Sequence, residues 1–172
     1  MDLAKGYWQI PIAEEHKEKS AFITPQGLWE FNVMPFGLRT APATFQRFMD
    51  SLVARLPGGF VLVYMDDVVI HSQDTATHIS HVQQVLALLR EAGVAAKASK
   101  CFFGVRTTEF LGHRISADGY APIADRTVAL RDLPAPDGVP ALRRFLGLAG
   151  YYRSFVPEYS TLAAPLTQLL RK

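Results

Sequence analysis

Apolar residues occur along this chain in short runs and at helical spacing, and together the two patterns predict an α+β protein. Short runs rich in apolar, β-branched and aromatic residues predict three pairs of strands: 20–24 with 28–32, 60–64 with 68–71, and 109–111 with 114–116. The turn Pro25-Gln26-Gly27 makes the first pair a hairpin, and Met65-Asp66-Asp67 joins the second pair.

Helical spacing predicts helices between and after these strands. Thr40 can cap a helix that has Pro42 in its first turn and apolar positions at Phe45, Phe48, Met49, Leu52, Val53 and Leu56. A second helix begins at Asp74 or Thr75, ends at Gly93, and is expected to bury Ile79, Val82, Leu86 and Leu89. After Pro122 the chain becomes helical, and we expect a second domain there.

Composition limits the class of protein. With 49% hydrophobic residues, the 172-residue chain can bury the core of one domain or two small ones, which argues against disorder. The longest apolar run, 60–65, is far shorter than the roughly 20 residues of a membrane-spanning helix, and no signal peptide is visible. Cys101 is alone, which excludes an internal disulfide. We therefore expect an intracellular protein and not a secreted one.

Charge permits a nucleic-acid partner without arguing for one. The formal net charge is only +2. After Pro122, however, six residues are Arg and the last residue is Lys172. One predicted helix there leaves Arg143 and Arg144 partly outside an apolar side formed by Leu142, Phe145, Leu146, Ala149 and Tyr152. Such a helix can bind a phosphate backbone or form a solvated charged face, and these residues alone do not decide between the two.

The adjacent pair Asp66-Asp67 carries the strongest chemical signal. It lies between two β-branched apolar runs, where a buried unpaired carboxylate costs several kcal/mol. An Asp pair can serve only to form a turn, but the central residues of a hairpin turn usually include Gly or Asn, and both are absent here. In the other interpretation, a hairpin tip brings carboxylates to divalent cations, and an acidic residue from a neighbouring strand completes the site. Two-metal phosphoryl transfer requires that arrangement, and oxygen ligands suit Mg²⁺ or Mn²⁺.

Six motifs occur in one order along the chain: DLAKGYWQI, SAFITPQGLWEFNVMPFGLRTAPATFQRFM, FVLVYMDDVVIHS, KASKCFF, EFLGHRIS and RRFLGLAGYYRSFVPEYSTLAAPLTQLL. Together they strongly resemble the reverse transcriptase of gypsy-type long-terminal-repeat retrotransposons, over essentially the whole chain. The resemblance implies a right-hand polymerase palm, an antiparallel sheet with helices on one face, followed by a helical thumb or connector. It places the palm at 1–11 and 35–121, a fingers-side hairpin at 12–34 and the thumb or connector at 122–172.

The same resemblance implies roles for the residues of the active site. Asp2 and Asp66 match the aspartates that bind two Mg²⁺ or Mn²⁺ ions, and Asp67 matches their partner carboxylate. Met65 belongs to the same YMDD motif and is expected at the nucleotide site. Tyr7 matches the aromatic residue that underlies the incoming sugar and excludes a 2′-hydroxyl.

Further matches concern nucleotide, template and primer. Phe36 and Gly37 match a loop that contacts nucleotide and template, although retroviral relatives have Gln at the position of Phe36. Lys97 or Lys100 matches a lysine proposed to protonate pyrophosphate, and the two remain alternatives. The primer grip is matched by Phe110, Leu111, Gly112 and His113. The basic residues expected on the nucleic-acid backbone are Arg143, Arg144 and Arg153.

The activity implied is RNA-directed DNA polymerisation, in which a primer 3′-hydroxyl attacks a deoxynucleoside triphosphate (dNTP) on an RNA or DNA template. The chain begins at Met1-Asp2, so we expect a preceding strand, the fingers and a ribonuclease H segment to belong to a longer polyprotein. We expect Asp2 to be poorly fixed and the 172-residue chain to polymerise weakly or not at all. The alternative is an inactive remnant that only binds nucleic acid.

Five residues have competing interpretations. Tyr7 and Phe36 can be ordinary core residues. His78 and His81 lie three apart on the second predicted helix without a nearby Cys, which favours a solvated face over a metal site. Cys101 is expected to pack as a small hydrophobic residue rather than to react.

Overall fold

The protein folds as two compact units, which a computed structural model describes for residues 1–170. The end of the predicted helical segment, including Lys172, lies outside the described residues. The units are Met1–Val105 and the chain from Arg106 onward. Each combines helices with antiparallel strands, so the predicted α+β class is confirmed. The unit boundary lies well before Pro122, because the third strand pair packs with the helices that follow it.

The first unit contains two antiparallel hairpins at the predicted positions. Strand β1 (Phe22–Thr24) pairs with β2 (Gly27–Trp29), and β3 (Val61–Tyr64) pairs with β4 (Asp67–Ile70). Because Tyr64 is the direct partner of Asp67, the second turn consists of Met65 and Asp66 alone. The prediction that Asp67 lies in the turn is therefore wrong, since this residue begins β4.

Two helices pack on the second hairpin. Helix α1 (Ala41–Val53) contacts β3, and α2 (Thr75–Glu91) contacts β4. Of the two predicted starts of α2, Asp74 is the N-cap, since its Oδ1 accepts the N–H of Thr77 at 2.9 Å. Thr40, the predicted cap of α1, makes no side-chain cap bond.

The buried side of α2 differs from the prediction. Val85, Leu88 and Leu89 are buried, whereas Ile79 and Leu86 are exposed. Exposed Leu86 lies between buried Val85 and Leu88, so the buried stripe is rotated about the helix axis relative to the prediction. Periodicity shows which residues share a side of a helix, but it does not show which part of a wide apolar side faces the packing partner.

One apolar core holds the first unit together. Its buried members are Leu3, Met34, Ala41, Phe45, Met49, Leu52, Phe60, Val68, Val85, Leu88, Leu89 and Val94. Burying one such large apolar side chain is worth about 1.5–3 kcal/mol. Leu3, which is only 2% exposed, therefore anchors the N-terminal segment to this core.

The second unit is a three-stranded antiparallel sheet followed by helices. Strands β5 (Thr108–Phe110), β6 (His113–Ser116) and β7 (Gly119–Pro122) pair in that order. The sequence pattern misses β7, which is bounded by Gly and Pro and has only two residues between them. The helices are α3 (Ala124–Arg131), α4 (Val139–Tyr151) and α5 (Tyr159–Gln168). Across residues 1–170, the helices are all too short or too polar to cross a membrane.

Candidate active site

Asp2 lies on a short N-terminal segment that is paired on both sides. Asp2 forms an antiparallel bridge with Asp67 of β4, and Leu3 forms one with the loop that follows α2. The N–H of Leu3 donates to the backbone oxygen of Asp66 at 3.0 Å, and the N–H of Lys97 donates to that of Asp2 at 2.9 Å. The expectation that Asp2 is poorly fixed is therefore wrong, because backbone pairing and the burial of Leu3 both hold it.

Three carboxylates and one ammonium group meet at the tip of the β3–β4 hairpin. Asp66 Oδ1 is buried and has no hydrogen-bond partner within the described chain. Burial, followed by the charges of Asp2 and Asp67, raises the pKa of Asp66, whereas Lys100 acts in the opposite direction. Lys100 Nζ donates to Asp2 Oδ2 at 3.1 Å. The centre thus combines repelling carboxylates, an unsatisfied buried oxygen and a neighbouring cation.

The chemistry of this donor set fits a divalent metal. Carboxylate oxygens are the ligands that Mg²⁺ and Mn²⁺ prefer, and a cation would satisfy the buried Asp66 Oδ1. Gly6 leaves the space that this carboxylate occupies, because an added Cβ would overlap Asp66 Oδ1. In residues 1–170, however, no three His, Cys, Asp or Glu side chains are spaced as a complete metal cluster. The ligand types therefore suit a divalent metal, but the spacing of these side chains does not by itself form a complete metal site.

A side chain of α1 holds the turn that carries Asp66. Met65 has a left-handed backbone with φ 53°, which costs a residue other than glycine about 1–2 kcal/mol. Gln46 Oε1 accepts the N–H of Met65 at 2.7 Å, and Gln46 Nε2 donates to Val63 O at 3.2 Å. The sequence pattern does not reveal Gln46, because nothing local separates it from a solvated glutamine on the polar side of a helix.

Tyr7 is both a packed residue and a neighbour of the carboxylates. Its ring lies 5.6 Å from that of Phe45 and 5.2 Å from that of Phe36, measured between centroids. Burial raises the pKa of Tyr7, with smaller contributions from Asp66 and Tyr64. The interpretation of Tyr7 as a core residue and its interpretation as a sugar contact are therefore compatible.

Phe36 and Gly37 form an exposed loop before α1. Phe36 is 64% exposed, so the interpretation of Phe36 as a core residue is wrong. Gly37 has φ 96°, a conformation that favours glycine. Because the ring of Phe36 contacts Tyr7, this loop borders the carboxylate centre.

The two candidate lysines have different surroundings. Lys100 brings its ammonium group to Asp2, whereas Lys97 has an exposed side chain and contacts Asp2 through its backbone N–H. Cys101 is half-buried, and its Sγ donates to Lys97 O at 3.3 Å. Of the two lysines, Lys100 is the one whose charge reaches the carboxylates.

His78 and His81 do not form the predicted solvated face. Both are half-buried, and their Nδ1 atoms lie 3.2 and 2.7 Å from Ser72 Oγ. The ring of His81 stacks on Phe60 with 3.6 Å between centroids. The two histidines therefore tie α2 to the ends of the hairpin, and helical spacing alone does not reveal such partners.

The predicted primer-grip residues surround the tight turn between β5 and β6 in the second unit. Leu111 and Gly112 have φ 47° and 70°, so both turn residues are left-handed. Two tyrosines hold this turn: Tyr151 OH donates to Leu111 O, and Tyr152 OH donates to Gly112 O at 3.2 Å. Phe110 pairs with His113 across the turn, and the His113 ring contacts Tyr120, Tyr151, Tyr152 and Phe155. The sequence pattern assigns these tyrosines to no site.

The predicted backbone-binding residues Arg143, Arg144 and Arg153 are exposed. In the part of the chain that the structure describes, none of them takes part in an ion pair. Their charge is therefore accessible to an anionic partner.

The reverse transcriptase family is established by sequence comparison. Residues 1–115 match the family described as reverse transcriptase (RNA-dependent DNA polymerase), and the chain belongs to that family. It is 42% identical over 172 residues to the Retrovirus-related Pol polyprotein from transposon 297 of Drosophila melanogaster, covering 100% of this chain. The corresponding polyprotein from transposon gypsy is 38% identical over 171 residues, or 99% of this chain. The chain spans only 16% of the length of each of these relatives.

Solved structures confirm the polymerase fold. The foamy viral protease-reverse transcriptase dRH in complex with ds DNA matches with a TM-score of 0.89 and 27% identity, covering 98% of this chain and 30% of that one. The foamy viral protease-reverse transcriptase in complex with RNA/DNA hybrid matches with a TM-score of 0.84 and 27% identity, covering 98% and 23%. The predicted family and fold are therefore both confirmed.

Proposed function

We propose that this chain is the polymerase core of a retrotransposon reverse transcriptase, and that it adds nucleotides from dNTPs to a primer 3′-hydroxyl. The observation that carries this proposal is the buried, unpartnered Asp66 Oδ1 at a hairpin tip where Asp2 bridges Asp67 and where the charges of both residues act on Asp66. Family membership supplies the class of reaction, and the carboxylates supply a place for it. Because relatives are named as complexes with ds DNA and RNA/DNA hybrid, we propose a primed RNA or DNA template as the partner.

In this proposal Asp2, Asp66 and Asp67 hold divalent metal, as two Mg²⁺ or Mn²⁺ ions. When bound, such ions make the primer hydroxyl more nucleophilic and stabilise charge on the triphosphate and leaving group. Lys100 places a cation at the same centre, where it can neutralise and protonate the leaving pyrophosphate. The contact between Lys100 and Asp2 favours this lysine over Lys97 for that role.

The remaining residues of the proposal bind and orient the substrates. Tyr7 lies under the incoming sugar and excludes a 2′-hydroxyl, while Met65, Phe36 and Gly37 line the nucleotide site. In the second unit, the turn Phe110–His113 grips the primer, and Arg143, Arg144 and Arg153 bind phosphates. The fingers and a ribonuclease H segment of a longer polyprotein are proposed as further partners, since the curated relatives are much longer than this chain.

Primer extension on an RNA template, measured with Mg²⁺ and with Mn²⁺, tests the proposal. We expect metal-dependent, template-directed extension by the purified chain, or by a chimaera in which these residues replace the matching segment of an active relative. The chimaera separates an inactive site from a site that lacks its neighbours. Template binding without extension in either protein would contradict the polymerase and support a remnant that only binds nucleic acid.

A further inference from the structure

The side chain of Gln9 hydrogen-bonds to the backbone of two segments, the one that carries Asp2 and the loop that follows α2. Gln9 lies at the end of the short 3-10 helix Gly6–Gln9. Its Oε1 accepts the N–H of Ala95 at 2.6 Å, and its Nε2 donates to Ala95 O at 3.1 Å and to Ala4 O at 2.6 Å. One side-chain amide thus joins two backbone segments through three hydrogen bonds.

These bonds lie at one end of the backbone ladder that carries Asp2. Along this ladder the N–H of Ala4 donates to Ala95 O at 2.8 Å, and the N–H of Lys97 donates to Asp2 O at 2.9 Å. In extended backbone, a slip of one residue turns each side chain to the opposite face. The bridge between Asp2 and Asp67 sets how Asp2 faces the other carboxylates, and the register between residues 2–4 and 95–97 therefore decides which side chains of the loop after α2 face Asp2.

The same register also places Lys100. The N–H of Lys100 donates to Lys97 O at 2.9 Å within the 3-10 turn Ala98–Lys100, and Lys100 Nζ reaches Asp2 Oδ2 at 3.1 Å. A change in the pairing of Lys97 with Asp2 would therefore move the ammonium group relative to the carboxylate.

We propose that Gln9 is a positioning residue of the polymerase centre. It fixes the register of residues 2–4 against 95–97 and so sets where Asp2 and Lys100 meet. The hydrogen bonds of Gln9 within the described chain all go to backbone atoms of Ala4 and Ala95, so it acts through the main chain. This inference rests on the proposed function and adds a residue that the motif assignments omit.

Two substitutions at Gln9 and one control variant test which of the Gln9 hydrogen bonds matter. Gln9→Met keeps the length and removes all three bonds, whereas Gln9→Glu keeps an acceptor for the N–H of Ala95 and removes both donated bonds. Gln73→Met is the matched control, because Gln73 is an exposed glutamine in the loop between β4 and α2. For each protein, Mn²⁺ affinity is measured by electron paramagnetic resonance, nucleotide addition by kcat and KM, and Ala95 amide exchange by NMR.

We expect Gln9→Met to lower both kcat and Mn²⁺ affinity by about 10-fold, as residues that orient metal ligands typically do. The KM for the nucleotide should change by less than about 2-fold, because Gln9 is not proposed to touch the nucleotide. Exchange at the Ala95 amide should accelerate in Gln9→Met and stay slow in Gln9→Glu. Gln73→Met should match the wild type in every measurement.

Several outcomes would overturn the inference. Wild-type kcat and Mn²⁺ affinity in Gln9→Met would do so, and so would losses that occur only together with unfolding at the assay temperature. In both cases the proposed function would stand, because the wild type would still bind Mn²⁺ and extend primers. If the wild type does neither, both as the purified chain and within the chimaera, the proposed function fails and the inference falls with it.

Discussion

At the scale of single residues, Asp66 shows a conflict between stability and function. Burial, and then the charges of Asp2 and Asp67, raises its pKa, and its Oδ1 has no partner in the described chain. A carboxyl group whose pKa is raised by folding favours the folded state below its ordinary pKa, and this contribution is lost as the pH rises through the folded-state pKa. Without a bound cation, the ionised Asp66 therefore opposes folding at neutral pH.

Asp66→Asn tests both sides of this conflict. We expect primer extension to fall by at least about 100-fold, because a neutral amide is a poor metal ligand and each factor of 10 is only about 1.4 kcal/mol. Duplex binding should change little, because it depends mainly on Lys and Arg at phosphates. With a chelator present, the variant should melt above the wild type at pH 8, and the difference should shrink toward pH 4. Near-normal extension by the variant would contradict the metal role.

Tyr7→Val tests the proposed sugar contact. If the ring excludes a 2′-hydroxyl, its removal should raise ribonucleotide incorporation relative to deoxyribonucleotide by about 10-fold or more, since one such steric contact is worth about 1–3 kcal/mol. Tyr7→Phe is the control, because it keeps the ring against Phe36 and Phe45. Competitive incorporation of the two nucleotides measures the ratio. Equal discrimination by Tyr7→Val and the wild type would assign Tyr7 to packing alone.

At the scale of elements, both turns that carry predicted site residues are held by side chains from a helix region. Gln46 of α1 holds Met65, while Tyr151 of α4 and the following Tyr152 hold the turn at Gly112. In each turn the backbone enters the left-handed region, which is unfavourable for residues other than glycine. The position of each turn therefore depends on how its helix packs.

Gly112→Ala tests how tightly the second turn is held. An added Cβ would lie 3.0 Å from Arg126 Nη1 and 3.1 Å from Tyr151 Oη, in addition to the strain of φ 70°. We expect a loss of unfolding free energy of about 1–2 kcal/mol or more, measured by urea denaturation. Gly104→Ala is the control, because Gly104 has φ 64° and no heavy atom within 4 Å of the added Cβ. Equal losses in the two variants would show that strain, and not the contact, is responsible.

At the scale of the whole molecule, positive charge is concentrated after residue 105. Residues 1–105 contain nine Lys and Arg against ten Asp and Glu, whereas the rest of the chain contains nine against six. The small net charge of +2 therefore conceals a basic second unit. This distribution supports the proposal that the helical segment binds phosphates.

The double variant Arg143→Gln, Arg144→Gln tests that proposal. We expect weaker binding of primed templates of any sequence, and the slope of log K against log salt should fall by about 0.9 for each phosphate that the variant no longer neutralises. The extension rate at saturating template should stay near that of the wild type. Arg55→Gln, which removes an arginine already paired with Glu91, should leave the slope unchanged. An unchanged slope in the double variant would show that these arginines form a solvated face and do not bind phosphates.

The amino-acid sequence by itself determined the α+β class, the family, both hairpins of the first unit and both of its helices. These features depend on local periodicity, on turn and cap residues, or on motifs that can be compared one position at a time. The carboxylates Asp2, Asp66 and Asp67 were singled out in the same way, as were the primer-grip matches Phe110, Leu111, Gly112 and His113.

Only the tertiary structure decided how the site is held together. Asp2 is fixed by Asp67 and by the loop that contains Lys97, and Lys100, which contacts it, lies 98 positions away. Gln9 likewise binds the backbone of Ala95, 86 positions away. The free energy of such contacts arises when distant segments meet in a folded core, so no local pattern records them. The sequence therefore names the groups that are proposed to do the chemistry, and packing decides which backbone and side-chain partners keep them in place.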